Sequence, residues 1–189
     1  MNSFANEMIM AARGVFAIAL GRRDAEKYFD LTIVGLIGAL IALILALAIS
    51  AFLPALLGDP VDGLSSTTAL IFTAGVYLFQ IGSAWVVLSL LNRADGFVPY
   101  LVVDFWSTFF VTILALVPNA LQLETSMVMM VLAIMVLVIK INIIRLIIKL
   151  PVMNIILFFV AHLIAGFVGL LVLGSVLGVD PMVINSQVQ

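Results

Sequence analysis

The stretch that decides the fold is residues 31–53, LTIVGLIGALIALILALAISAFL, which carries no charged side chain. A helix needs about 20 apolar residues to cross the hydrocarbon core of a bilayer, and this segment supplies them without interruption. Four further stretches read the same way: about 67–91, 98–118, 125–148 and 152–177. The residues between them are turn formers. Pro54 and GDPVDG (58–63) close the first span, and NRADG (92–96) separates the second from the third. Pro118-Asn119 ends the third, and Pro151 divides the fourth from the fifth, making a tight hairpin of those two. Composition agrees: 65% of the 189 residues are hydrophobic and 10% charged, where a soluble domain carries roughly 45–50% and about 25%. With a mean hydropathy of +1.35, so much apolar surface cannot be hidden in one soluble core.

The expected fold class is therefore all-α: a polytopic membrane protein, a compact bundle of five transmembrane helices preceded by an amphipathic interfacial helix. Residues 1–30 form that helix and a charged collar, 31–177 the membrane domain, and 178–189 a short tail.

Orientation follows from the basic residues: Arg13, Arg22, Arg23, Lys27, Arg93, Lys140, Arg145 and Lys149. With five spans they all fall on one side, in the N-terminal segment, the 92–96 loop and the end of span four. The opposite loops and the tail hold Asp59, Asp62, Glu124 and Asp180 with no Lys or Arg. The positive-inside rule then puts the N-terminus in the cytoplasm and the C-terminus outside it, in a plasma (inner) membrane.

Residues 4–20 read as a helix lying in the interface. Phe4, Met8, Ala11, Val15 and Ala19 recur at helical spacing, with Ile9, Ala12, Phe16 and Leu20 on an adjoining strip and Asn2, Asn6 and Arg13 expected opposite. The collar GRRDAEKYFD (21–30) reads as a topology anchor on phosphate head groups.

Several chemistries are excluded at once. The chain has no cysteine and one histidine, so disulfides, thiolate sites and His-based metal clusters fall away, and no cofactor is expected. A net charge of −2 gives no reason to expect nucleic acid. Membrane lipids, other membrane proteins or a second copy are the expected partners.

Ionisable groups inside a bilayer need a reason. Asp104 lies roughly 9 Å into span three at 1.5 Å per residue, and Lys140 at a similar depth in span four, with Arg145 nearer the surface. These depths allow an ion pair between Asp104 and Lys140 or between Asp104 and Arg145. The pair would either pin two spans together or carry a proton or cation relay. His162 falls near the middle of span five, with Gln80 of span two the evident hydrogen-bond partner. Asn142, Arg145 and Lys149, at i, i+3 and i+7, are expected to share a face, snorkelling to phosphates. With Arg22 and Arg23, Asn142 and Lys149 are the candidate lipid head-group contacts. Small residues recur along span one (Gly38, Ala42, Ala46, Ser50) and span five (Ala161, Ala165, Gly169), spacing that lets helices approach closely, within the chain or at an oligomer interface. Trp85 and Trp106 sit inside spans, as packing or lipid-facing residues.

In layout, with GRRDAEKYFDL (21–31) entering span one, NRADGF (92–97) turning into span three and the KINIIRLIIKLP hairpin (140–151), the chain resembles the Yip family of five-span membrane proteins, particularly its short bacterial members. Of the Asp-Leu-x-Gly-Pro element in eukaryotic members only Asp30-Leu31 is present, so no residue takes a role from the family. The resemblance implies a non-enzymatic protein acting by association, in trafficking, membrane shaping or complex assembly. The expected function is thus a scaffold, accessory or assembly component, with a small proton- or ion-linked transporter or channel subunit as the alternative.

Overall fold

The computed structural model describes residues 4–56, 65–120 and 125–178; the GDPVDG loop, Glu124 and Asp180 lie outside them. Six α-helices account for most of these residues: α1 (Phe4–Ala19), α2 (Ile33–Leu56), α3 (Ser66–Leu90), α4 (Phe97–Ala120), α5 (Thr125–Asn142) and α6 (Val152–Leu177). Single 3₁₀ turns precede α2 and α4, and α5 runs on as a π-helix over Ile143–Ile148. Five helices are long and apolar enough to cross a membrane: Ile33–Leu53, Ser66–Leu90, Ala94–Val117, Met130–Ile148 and Val152–Leu177.

Two prolines expected to close spans lie inside helices. α2 continues through Pro54 to Leu56, and α4 through Pro118 to Ala120. So near a helix end, a proline forfeits one backbone bond without breaking the helix. Pro99, in the first turn of α4, has no such bond to lose.

The chain divides into two compact units, Met1–Ala46 with Arg93–Ile155 and Leu47–Asn92 with Ile156–Gln189. The first is built on α1, which packs across α4 and α5. Helix α1 ends in a Schellman motif. Gly21, at φ 68°, donates to the Ile18 carbonyl and Arg22 to that of Ala17, both at 2.9 Å. Its buried face is Ala11, Gly14, Val15, Ala17 and Ile18. Gly14 is needed there, since a Cβ would stand 2.5 Å from the Phe29 ring. The strip Ile9, Phe16 and Leu20 is exposed instead, and Arg13 lies on that face, not opposite it. Below α1 an aromatic cluster fixes α4: Phe4 lies 5.8 Å from Trp106, which stacks on Phe110 at 6.0 Å and meets Phe109 edge-on.

In the second unit α3 and α6 run antiparallel. Leu173 packs on Gly75, Phe79 on Gly169 and Gln80 on Gly166, with His162 beside Ser83. Both helices leave most of their surface uncovered. Only 11% of the apolar stretch of α3 and 17% of that of α6 is buried, against 50% in α4.

Two glycines test this packing in opposite directions. A Cβ on Gly35 would run into the Asp30 carbonyl, whereas one on Gly82 meets nothing within 4 Å. Gly35→Ala is expected to lower the thermal midpoint in detergent. Gly82→Ala should leave it unchanged or raise stability by about 0.5–1 kcal/mol, the ordinary helical preference for alanine.

Candidate functional site

The polar residues of the first unit are organised around one end of α4 and α5. Asp104 lies seven residues into α4 and is 2% exposed. Lys140, on the last turn of α5, donates to its Oδ1. Of the two ion pairs the spacing allows, this is the one formed. Tyr100, Val103 and Ser107, neighbours of Asp104 along α4, are buried as well, so the pair sits in a low-dielectric setting where each charge depends on the other.

One turn on, the side chains expected to form a single stripe diverge. Asn142 is buried, and its amide donates to the Ile18 carbonyl at 2.8 Å, tying the end of α1 to α5. Arg145 is exposed, and Lys149 reaches Glu26 at 3.0 Å. The cause is the π-helix, whose extra residue per turn breaks the i, i+3, i+7 register. Lys149 ends this segment at φ 59°, a left-handed conformation uncommon outside glycine and asparagine. Arg93 donates to the Ile148 carbonyl at 2.6 Å. The three basic stretches of the sequence therefore meet in space: the collar through Glu26–Lys149, and the 92–96 turn through Arg93–Ile148. In the collar, Arg22 and Lys27 both bind Asp24, and the Lys27 hydrogen bond holds that carboxyl below its usual range. Arg23 is exposed.

The small residues of span one face inward. Gly38, Ala42 and Ala46 are buried, so this chain itself covers them. Glu7 of α1 packs directly on Gly38, a contact with no signal in composition or spacing. Its Oε1 is buried without a hydrogen-bond partner. Burial raises the Glu7 pKa, with the Asp30 carboxylate adding to the effect and hydrogen bonding to the Trp106 side chain opposing it. Glu7 and Asp30 share a cavity of about 890 Å³ with Asn6, Lys27 and Tyr28.

In the second unit His162 stacks on Phe158 at 5.9 Å and places Nδ1 3.4 Å from the Ser83 hydroxyl. The Gln80 amide, the expected partner, lies over Gly166 instead. Ser83 donates to the Gln80 carbonyl at 2.8 Å, which leaves it to accept from the imidazole. An activated serine must do the reverse and give its proton to the base. Ala161 and Ala165 are half-buried, and line with Gly82 and Ser83 an apolar cavity of about 560 Å³, while Gly169 is covered by Phe79. Trp106 is buried and Trp85 is 48% exposed. No cluster able to hold a metal ion occurs among the described residues.

Two expectations follow. Asp104→Asn strands Lys140 and should cost about 3 kcal/mol, the scale of a broken buried pair. The double variant Asp104→Asn/Lys140→Met should recover much of that loss in detergent unfolding, and a double variant no better than the single would refute the coupling. For Glu7 the folded state binds its proton more tightly than the unfolded chain does. Stability from this group is then complete below pH 4.5, the ordinary value, and is lost as pH rises from there through the raised pKa. Glu7→Gln should flatten that slope and raise the thermal midpoint at neutral pH.

Comparisons with protein-family models, with characterised proteins and with solved structures give no match.

Proposed function

We propose that this chain is a multi-pass protein of a plasma (inner) membrane, with its N-terminus in the cytoplasm and its C-terminus outside. In this reading α1 lies in the interface, and the protein serves as a non-enzymatic scaffold, accessory or assembly component through contacts inside the bilayer. The orientation draws support from the meeting of the three basic stretches at one end of the first unit. All eight Lys and Arg residues belong to that unit and none to the other, and such clustering is what a cytoplasmic face demands.

One observation carries the scaffold reading: the ion pair inside the spans, Asp104–Lys140, is closed on itself while the apolar faces are left open. Asp104 is held by Lys140, Asn142 by the end of α1, and Ser83 by its own helix. A transport path needs polar groups that face a lumen. The surface left for function is instead the exposed apolar side of α3 and α6, including Leu78, Trp85, Leu163 and Phe167. Without a hydrophobic drive in lipid, helices associate there by packing and shape.

The test is mild detergent extraction from native membranes, followed by the mass and identity of what co-purifies. A stoichiometric partner or second copy is expected, and Leu163→Ala with Phe167→Ala should release it while the thermal midpoint is kept. A lone, homogeneous protein would overturn the scaffold reading and turn attention to the alternative of a small proton- or ion-linked transporter or channel subunit.

A further inference from the structure

Helix α1 combines an exposed cation, in no ion pair among the described residues, with an apolar groove along its edge. Arg13 is exposed, and none of the ion pairs among the described residues engages it. Its neighbours on that face are Ile9, Phe16 and Leu20, at i−4, i+3 and i+7, exposed by 51%, 65% and 60%. Arg23 and Arg145 are also exposed, but neither stands on an apolar helix face. A guanidinium set among exposed apolar side chains calls for a counter-charge at the level of the hydrocarbon boundary, and lipid phosphate is what that boundary offers.

The groove lies on the adjoining edge of the same helix. Ala12, Phe16 and Ala19 of α1 line it with Phe110 and Leu114 of α4 and Met135 of α5, enclosing about 290 Å³ of apolar space. The opposite edge of α1 is occupied, since Gly14 lies under Phe29 and Tyr28. Phe16 belongs both to the exposed face and to the groove wall. A molecule bound to Arg13 can therefore pass over Phe16 into the groove without crossing a polar group. Three of the four residues that the sequence marked for head groups are engaged elsewhere, Asn142 with Ile18, Lys149 with Glu26 and Arg22 with Asp24, and the fourth, Arg23, lies beyond the end of α1.

The geometry points to a binding site for one anionic phospholipid of the surrounding leaflet, its phosphate on Arg13 and one acyl chain in the groove between α1, α4 and α5. This rests on the reading of the chain as a membrane protein with α1 in the interface. The site is built from a fixed charge and a fixed slot, so it selects head-group charge at Arg13 and admits a hydrocarbon chain below it. A bound lipid would complete the outer side of α1, which this chain leaves open.

The test uses the fluorescence of Trp106, whose ring stacks on Phe110 in the groove wall. The chain has two tryptophans, so Trp85→Phe leaves Trp106 as the sole reporter. The full chain is reconstituted into phosphatidylcholine vesicles containing phosphatidylglycerol with brominated acyl chains, and separately into vesicles where the brominated lipid is phosphatidylcholine. Brominated phosphatidylglycerol is expected to quench at roughly fivefold lower mole fraction, the scale of one arginine against an anionic head group. Arg13→Gln should abolish that preference and Arg23→Gln should keep it. Ala12→Phe, which fills the groove, should reduce quenching by both lipids. Equal quenching by the two lipids, or equal loss of preference in Arg13→Gln and Arg23→Gln, would overturn the site. Because the lipid comparison needs no change in the groove, a poorly folding Ala12→Phe leaves the test intact. Failure of the protein to enter vesicles would strike at the membrane reading itself, a distinct result.

Discussion

The ion pair between Asp104 and Lys140 is the interaction on which the first unit depends. Each charge alone would be expensive in an apolar surround; together they join α4 to α5 at one level and fix the rotation of both helices. With that rotation set, Trp106 points toward α1, Asn142 comes under the carbonyl of Ile18, and the π-helix is carried to Arg93. Polar contacts here act as locating pins, while apolar burial supplies most of the cohesion.

The second unit is held differently. Between α3 and α6 glycines receive the large side chains of the opposite helix: Gly75 takes Leu173, and Gly169 takes Phe79. His162 and Ser83 add a long hydrogen bond, but much of both helices faces outward. The two units therefore divide the work. One is stitched by charge and aromatic stacking, and the other offers apolar surface for an environment or a partner to cover.

Much of this was legible in the sequence because hydrocarbon imposes a simple rule on length and polarity. Five long helices and the hairpin at Pro151 follow from it, and similar depths brought Asp104 and Lys140 together on paper. What escaped has physical causes. A π-turn has no compositional signal in KINIIRLIIKL, so Asn142 and Lys149 seemed to share a face they do not share. In α1 the spacing itself sets Arg13 beside Phe16, since i and i+3 share a face, but which apolar strip is covered, Ala11 and Val15 and not Ile9 and Phe16, depends on the direction from which α4 approaches, a tertiary fact. The Glu7 contact on Gly38 likewise joins residues whose proximity depends on how α1 crosses α2. Pro54 and Pro118 follow directly on the apolar stretches that end at Leu53 and Val117, and the helices run on past them because a proline close to a helix end no longer stops it.

The π-helix has a further consequence. One residue more than an α-helix needs is wound into Ile143–Ile148, so the number of residues between Asn142 and Lys149 is itself a structural quantity. Deleting one of them would let the segment relax to α-helix while leaving the residues beyond it near their present angle, because a π-turn spreads the rotation of an α-turn over one residue more. The same deletion made earlier in α5 would instead turn everything beyond it by about 100°. Asn142 would then leave the Ile18 carbonyl, and Lys149 would swing away from Glu26. One lost residue is thus absorbed inside the π-turn and disruptive outside it.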